Sequence, residues 1–215
     1  MVESQIHRSI ASARSALGIK DDSARDPAES LAQYFSSLPA EEQVVIAFSG
    51  GVDSSVVAAL ATNLLRSERV TALFFDTPLV LDEDRENAKR IADEMHLSLE
   101  VIDFDPLIID AVRHNRADRC YYCKNALFSL MQEYYPNAFL CDGTNADDDP
   151  ARRPGMRALA ELGIHSPLRA CSISKDEVRQ IARALGLSNA DRVSGSCRAT
   201  ALPYDIDIAT VFRAD

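Results

Sequence analysis

The hydrophobic residues of this 215-residue chain fall into short apolar runs that alternate with longer stretches of helical spacing. Short β-rich runs predict strands, and apolar positions repeating every three or four residues predict helices. Strands are predicted over 44–48, 69–75, 98–104 and 137–143, and helices over 3–18, 29–36, 54–66, 82–96, 120–134 and 174–187. Strands alternating with helices of this length indicate a parallel sheet covered on both faces. The pattern therefore predicts an α/β fold with a doubly wound parallel sheet.

The chain is predicted to consist of an N-terminal extension and a main domain. A polar, turn-prone segment over 20–27 follows the first helix, so residues 1–40 are predicted to form a helical N-terminal extension and residues 41–215 the main domain. Ser174 and Glu177 have the spacing of a capping box, and Gly186 marks the end of the last helix. Ligands of such sheets bind beyond the carboxyl ends of the strands, where the motifs described next are found.

Composition narrows the class of protein. The 33 acidic and 23 basic residues give a net charge of −10, which argues against a broad surface for nucleic acid. The apolar runs are much shorter than the about 20 residues of a membrane span, and the N-terminus lacks the apolar core of a signal peptide. Five cysteines in such a chain do not suggest a disulfide scaffold. We expect a cytoplasmic protein that does not bind membranes.

The sequence AFSGGVDSS at 47–55 lies between a predicted strand and a predicted helix. Gly50 and Gly51 let backbone N–H groups approach a ligand closely, and the N-terminus of the following helix attracts anions. Hydroxyl groups can bind phosphate, and a carboxylate can hold Mg²⁺. The side chains that could do so are those of Ser49, Asp53, Ser54 and Ser55. The lysine of a Walker P-loop is missing, and a Gly-Gly turn that binds nothing is the alternative interpretation.

The complete string SGGVDSS resembles the signature of the PP-loop ATP pyrophosphatases, which have an adenine nucleotide alpha hydrolase-like fold. Members cleave ATP between the α and β phosphates, adenylate a carbonyl or carboxylate oxygen, and let a nucleophile displace AMP. The resemblance implies ATP and Mg²⁺ as cofactors, with adenine near Phe75. It also implies a second phosphate and metal site in the acidic segment that follows the fourth strand. Its residues would be Thr144, Asn145, Asp147 and Asp148, although a solvated surface turn explains the acidic residues as well.

Three further stretches, over 119–128, 142–168 and 193–205, resemble the LarE-type ATP-dependent sacrificial sulfur transferases in order and approximate spacing. Members adenylate a carboxylate of a pyridinium dicarboxylate mononucleotide and convert it to a thiocarboxylate. The resemblance runs from about Val44 to Tyr204 and implies a small-molecule carboxylate acceptor and a sulfide source. We also expect a homo-oligomer.

Cys120 and Cys123 are three residues apart at the start of a predicted helix, and Cys197 lies in a loop after the last helix. The first two share a helix face, near a positive dipole end that favours thiolate. Three thiolates can hold three irons of a [4Fe–4S] cluster and leave the fourth open to sulfide. LarE-type members with these cysteines are understood to work this way, whereas others sacrifice the sulfur of one cysteine. Two small hydrophobic residues packing a helix remain an equal alternative for the first pair.

Catalytic roles are thus expected for the three cysteines and Asp53, and substrate binding for nearby arginines. Arg153 and Arg157 could clamp a phosphate or carboxylate, unless they belong to a solvated basic stretch. Around the last cysteine the family pattern has an arginine where this chain has Ala201, and Arg198 is the candidate replacement. Two other functions stay open: an amide-forming ligase of the GMP or NAD synthetase type, which shares the first motif, and a nucleotide-binding module without turnover, which the missing arginine would support.

Overall fold

The computed structural model describes residues 26–193, 195 and 197–212. The helix predicted over 3–18 lies outside these residues. No helix in the described ranges has the length and apolar character needed to cross a membrane.

Four parallel strands form one sheet in the order β3-β2-β1-β4. The strands are β1 (Val44–Ala47), β2 (Val70–Asp76), β3 (Ser98–Asp103) and β4 (Phe139–Cys141). The helices are α1 (Pro27–Ser36), α2 (Val52–Leu64), α3 (Asp82–Glu94), α4 (Asp110–Arg113), α5 (Arg119–Tyr134), α6 (Gly155–Glu161), α7 (Pro167–Ala170), α8 (Lys175–Ala184) and α9 (Ala209–Phe212), and 3₁₀ turns span Ser67–Arg69, Pro106–Ile108 and Arg198–Ala201. The predicted parallel α/β fold is confirmed.

Helices cover both faces of the sheet. Successive residues of a strand point to opposite faces, so β1 contributes side chains to a core on each side. Val44 and Ile46 of β1 are fully buried in the larger core, which α1, α2, α3 and α8 also enter. Val45, between them, is fully buried in a second core with Phe128 and Met131 of α5. A strand buried on both faces needs an uninterrupted apolar run, which is what β1 has. The chain moves outward from β1 to β3 and then returns to place β4 on the other side of β1.

The helix α1 belongs to the larger core. Its residues Leu31 and Phe35 are completely buried there, and the Asp26 side chain caps its first turn by accepting the Ala28 N–H at 2.9 Å. This part of segment 1–40, expected to be an extension, therefore packs with the main domain.

The helix α8 begins at the predicted capping box. The Ser174 hydroxyl accepts the Glu177 N–H at 3.3 Å, and the Glu177 carboxylate accepts the Ser174 N–H at 2.7 Å. Gly186, with φ of +72°, lies just beyond the end of the helix, where a left-handed residue is common. The box fixes Lys175 as the first residue of α8.

The loop after β1 is packed tightly against α3. Gly50 has φ of +70°, and a Cβ atom at this position would lie 2.6 Å from the Cα and 2.8 Å from the N of Ala88. Both are backbone atoms, so the contact could be relieved only by moving the loop or the helix.

We expect Gly50→Ala to destabilise the protein far more than Gly186→Ala. Both positions have a positive φ, which costs about 1–2 kcal/mol for a residue with a Cβ. Only Gly50 has a neighbour within 4 Å of that Cβ, and overpacking adds about 1–3 kcal/mol. Urea unfolding of the two variants measures the difference, and equal losses would contradict the close contact with Ala88.

Candidate functional site

A cavity of about 740 Å³ lies at the carboxyl ends of the strands, next to the point where the chain returns to β4. Ligands of open parallel sheets bind at this position. Its walls contain most of the site residues predicted from sequence: Ser49, Gly51, Asp53, Ser54, Phe75, Cys120, Cys123, Thr144, Asn145, Asp147, Asp148, Arg153 and Cys197. The glycine-rich loop, which is the SGG sequence at 49–51 between β1 and α2, thus shares one cavity with the segment after β4 and the cysteines.

Two buried asparagines hold the glycine-rich loop. The Gly50 carbonyl accepts hydrogen bonds from the side-chain amides of Asn87 and Asn189, both at 2.7 Å. The Asn189 amide also donates to the Ser55 hydroxyl at 2.9 Å, and that hydroxyl donates to the Gly51 carbonyl at 3.0 Å. Gly50 and Ser55, predicted to bind ATP, are not part of the cavity wall, and their hydrogen bonds stabilise the conformation of the loop.

The other two serines face the cavity and contact each other weakly. The Ser54 hydroxyl donates to the Gly51 carbonyl at 3.0 Å and lies 3.3 Å from the Ser49 hydroxyl. The Gly51 N–H donates to the Ser49 hydroxyl, also at 3.3 Å. Contacts at 3.3 Å are at the long end of the hydrogen-bond range. These groups can therefore exchange partners at low cost.

Asp53, in the first turn of α2, links three parts of the chain. One of its carboxylate oxygens accepts from the Asn145 amide at 2.9 Å, and the other is paired with the Lys175 ammonium. The Lys175 backbone N–H donates to Asp147 at 2.7 Å. Lys175 thus contacts two of the three carboxylates expected to hold Mg²⁺, Asp53 through its side chain and Asp147 through its backbone.

The acidic segment after β4 is ordered by its own side chains. Asp148, almost completely buried, accepts the Asn145 N–H at 3.0 Å and pairs with Arg153 at 2.8 Å. Asp142 accepts the Thr144 N–H at 3.0 Å and the Ser166 hydroxyl at 2.7 Å. These bonds hold the segment in a defined conformation at the cavity wall, with Asp142 and Asp148 buried and Asp147 exposed.

In the described part of the chain, no three His, Cys, Asp or Glu side chains are arranged to hold a metal ion. Mg²⁺ in nucleotide sites uses one or two carboxylates together with substrate phosphates, so such a triad is not required. Asp53 and Asp147 provide two oxygen ligands at the cavity wall. Binding of Mg²⁺ to Asp53 requires its ion pair with Lys175 to open.

The three predicted cysteines line the cavity from the first turns of α5 and the start of the last 3₁₀ turn. Burial, reinforced by the nearby Cys197 and Cys120, raises the pKa of Cys123 to about 12. Burial also raises the pKa of Cys197. The thiolate expected at the helix N-terminus is therefore disfavoured at Cys123, because desolvation outweighs the dipole.

Two of the three predicted substrate arginines do not line the cavity. The Arg157 guanidinium stacks 3.6 Å from the centre of the Tyr121 ring and pairs with Glu161 at 3.4 Å. Arg198 donates to the Pro78 carbonyl at 3.1 Å and lies over the Phe212 ring. Of the three, Arg153 alone is brought to the site.

The cavity also contains cationic residues that the sequence interpretation did not single out: Arg119, Lys124, Lys175 and Arg192. Two of them had a local signal, because Arg119 directly precedes Cys120 and Lys124 directly follows Cys123. A cation at the first position of a helix opposes the helix dipole, which is a signal for Lys175. Arg192 pairs with Asp84 at 2.9 Å, a contact between distant segments.

Known proteins resemble this chain in sequence and in fold. Residues 24–125 match the NAD synthase family. The chain is 35% identical to the uncharacterized protein slr1717 of Synechocystis sp., over 84% of this chain and 67% of that protein. It is 32% identical to the pyridinium-3,5-bisthiocarboxylic acid mononucleotide synthase of Lactiplantibacillus plantarum, over 76% of this chain and 60% of that protein.

The fold also matches solved structures. The NH3-dependent NAD synthetase of Campylobacter jejuni superposes with a TM-score of 0.58 at 21% identity, over 80% of each chain. The present chain spans about two thirds or less of the length of the two relatives above. Together with the SGGVDSS loop, these similarities show that the chain belongs to the PP-loop ATP pyrophosphatase superfamily, alongside the LarE-type proteins.

Proposed function

We propose that this protein uses ATP and Mg²⁺ to adenylate a carboxylate of a small-molecule acceptor and then transfers sulfur to it, releasing AMP and pyrophosphate. One observation carries the proposal: the SGGVDSS loop and the three cysteines line the same cavity. An acyl-adenylate formed there would stay beside the sulfur-bearing residues. The relative from Lactiplantibacillus plantarum is named for a bisthiocarboxylic acid product, which supports a carboxylate acceptor.

The phosphates of ATP would bind at the glycine-rich loop and the N-terminus of α2. The backbone N–H groups there and the positive end of the helix dipole favour anions. The hydroxyls of Ser49 and Ser54 would give up their weak contacts in exchange for phosphate oxygens, as their 3.3 Å separation permits. Adenine would lie near Phe75, which lines the same cavity.

Lys175 would move from Asp53 to the phosphates when the nucleotide binds. Asp53 and Asp147 would then be free to hold Mg²⁺, which neutralises phosphate charge. The positive charge of Lys175 would stabilise the pyrophosphate leaving group, whose negative charge grows as the α–β bond breaks. The ion pair between Asp53 and Lys175 would thereby be replaced by contacts of Asp53 with Mg²⁺ and of Lys175 with phosphate.

Cys120, Cys123 and Cys197 would hold a [4Fe–4S] cluster, which when bound would supply activated sulfide. The three line one cavity, but the described side chains are not arranged as a metal-binding group, so cluster binding would require the thiols to converge. Metal binding would also offset the burial that keeps Cys123 protonated. Sacrifice of the sulfur of one of these cysteines is the alternative source.

An amide-forming ligase is the second candidate, because the family match and the solved structure are both NAD synthetases. It would share the adenylation step and use ammonia in place of sulfur. The cysteines in the cavity favour sulfur transfer.

We expect the purified protein to convert ATP and Mg²⁺ to AMP and pyrophosphate when a suitable carboxylate, such as pyridine-3,5-dicarboxylate, is present. Chromatography of the nucleotide products measures this directly. Formation of ADP and phosphate would contradict the proposal. Tight nucleotide binding without any turnover would favour the binding-module alternative.

Lys175→Met should weaken ATP binding by about tenfold or more, since a hydrogen bond to a charged group contributes about 1.5–3 kcal/mol. Lys89→Met is the matched control, because Lys89 is half-exposed on α3 and pairs only with Glu86, at 3.5 Å, among the residues described. Calorimetric titration with ATP and Mg²⁺ measures both. Equal affinities for the two variants would show that Lys175 does not reach the phosphates.

Protein purified anaerobically should contain iron and labile sulfide, and Cys197→Ser should lose most of both. Cys171→Ser is the control, because Cys171 is outside the cavity wall and contacts the Ser30 carbonyl at 3.5 Å. Iron-free protein that loses one sulfur atom per turnover, seen by intact mass, would replace the cluster with a sacrificed cysteine. Amidation with ammonia would favour the ligase.

A further inference from the structure

Arg119 is a buried cation in the wall of the cavity. It is the first residue of α5, directly before Cys120, and only 6% of its surface is exposed. Burying a charged side chain is costly unless hydrogen bonds or an opposite charge compensate it. The partners of its guanidinium group therefore decide what it does.

The protein satisfies this guanidinium poorly. One Nη atom lies 3.4 Å from the Thr200 hydroxyl, and the group stands 5.3 Å from the centre of the Tyr204 ring. The buried Nε has no hydrogen-bond partner. Thr200 is thus the single hydrogen-bond partner of the Arg119 guanidinium in the described part of the chain, although this group has five N–H donors.

The other cations of the cavity wall have carboxylate neighbours within 4 Å. The pairs are Lys175 with Asp53, Arg153 with Asp148, Arg192 with Asp84, and Lys124 with Asp142. Arg119 has none among the residues that the structure describes. It also lies at the positive end of the 16-residue helix α5, whose first turn has no acidic residue. The cysteine side of the cavity therefore has uncompensated positive charge.

We propose that Arg119 binds an oxyanion of the acceptor, a carboxylate or a phosphate group, and so holds the acceptor beside Cys120, Cys123 and Cys197. This inference rests on the proposed function and adds the residue that recognises the acceptor. The planar guanidinium presents a fork of donors that matches the two oxygens of such a group. An oxyanion there would satisfy both the unpaired charge and the helix dipole.

Thermal-shift titrations test the site with three probes. Pyridine-3,5-dicarboxylate carries carboxylates, ribose 5-phosphate carries a phosphate, and pyridine-3,5-dicarboxamide is an uncharged counterpart. At least one charged probe should stabilise the wild-type protein, and the diamide should not. The charged probe that binds identifies the oxyanion. A wild-type protein that does not distinguish the charged probes from the diamide would overturn the proposal.

Arg119→Met should raise the dissociation constant of that probe by about tenfold or more, as expected for a lost charge-assisted hydrogen bond. Arg116→Met is the control, because Arg116 is half-exposed and pairs with Asp110 at 2.7 Å. Wild-type affinity in folded Arg119→Met would overturn the proposal. If that variant does not fold, Arg119→Lys decides: it retains charge but loses the fork, so a loss of about threefold supports the proposal and no loss overturns it.

A parallel titration with ATP and Mg²⁺ separates the two hypotheses. Arg119→Met should keep its thermal shift with ATP while losing the shift with the oxyanion probe. A wild-type protein with no ATP shift would overturn the proposed function and leave the oxyanion site standing on the probe data.

Discussion

The backbone carbonyl of Gly50 accepts hydrogen bonds from two buried asparagine side chains, and the position of the glycine-rich loop depends on both. Asn87 comes from α3 and Asn189 from the segment after α8, each at 2.7 Å. A buried amide left without its acceptor costs about 1–3 kcal/mol, so each segment is held to the loop. The left-handed conformation of Gly50 turns its carbonyl to the place where both amides can reach it. The cavity therefore has its shape only when three distant parts of the chain are assembled.

Sequence periodicity, which is a local property, predicted the four strands and the five longer helices of the described residues, but not the short helices α4, α6, α7 and α9. The buried run of β1 and the capping box of α8 are each readable within a few residues, and both are present. The convergence of loop, acidic segment and cysteines also followed from sequence, since parallel strands present their carboxyl ends at one edge. The residues that fix the position of the site have a weaker signal in the sequence. Asn189 is 139 residues from its acceptor and Lys175 is 122 residues from Asp53, so no local pattern shows which partner each contacts. The local signal for Lys175, a cation at the first position of a helix, does not indicate that Asp53 is its partner.

The arginines illustrate the same limit. Arg153 and Arg157 are four residues apart in a short basic stretch and look equivalent in the sequence. The turn before α6 directs the first toward Asp148, while the helix places the second over Tyr121. Net charge is equally uninformative about the site: the chain has a charge of −10, yet its cavity contains five cationic side chains. Charges at the cavity wall are set by individual pairs and not by the surface average.

The ion pair between Asp53 and Lys175 has a consequence for the sequence of binding events. The Lys175 ammonium already neutralises the Asp53 carboxylate that a divalent cation would use. A free divalent cation must therefore compete with Lys175 for this carboxylate. A nucleotide offers the ammonium a new anionic partner and releases the carboxylate at the same moment. Under the proposed function, metal and nucleotide therefore enter together as a complex, and the metal alone is excluded.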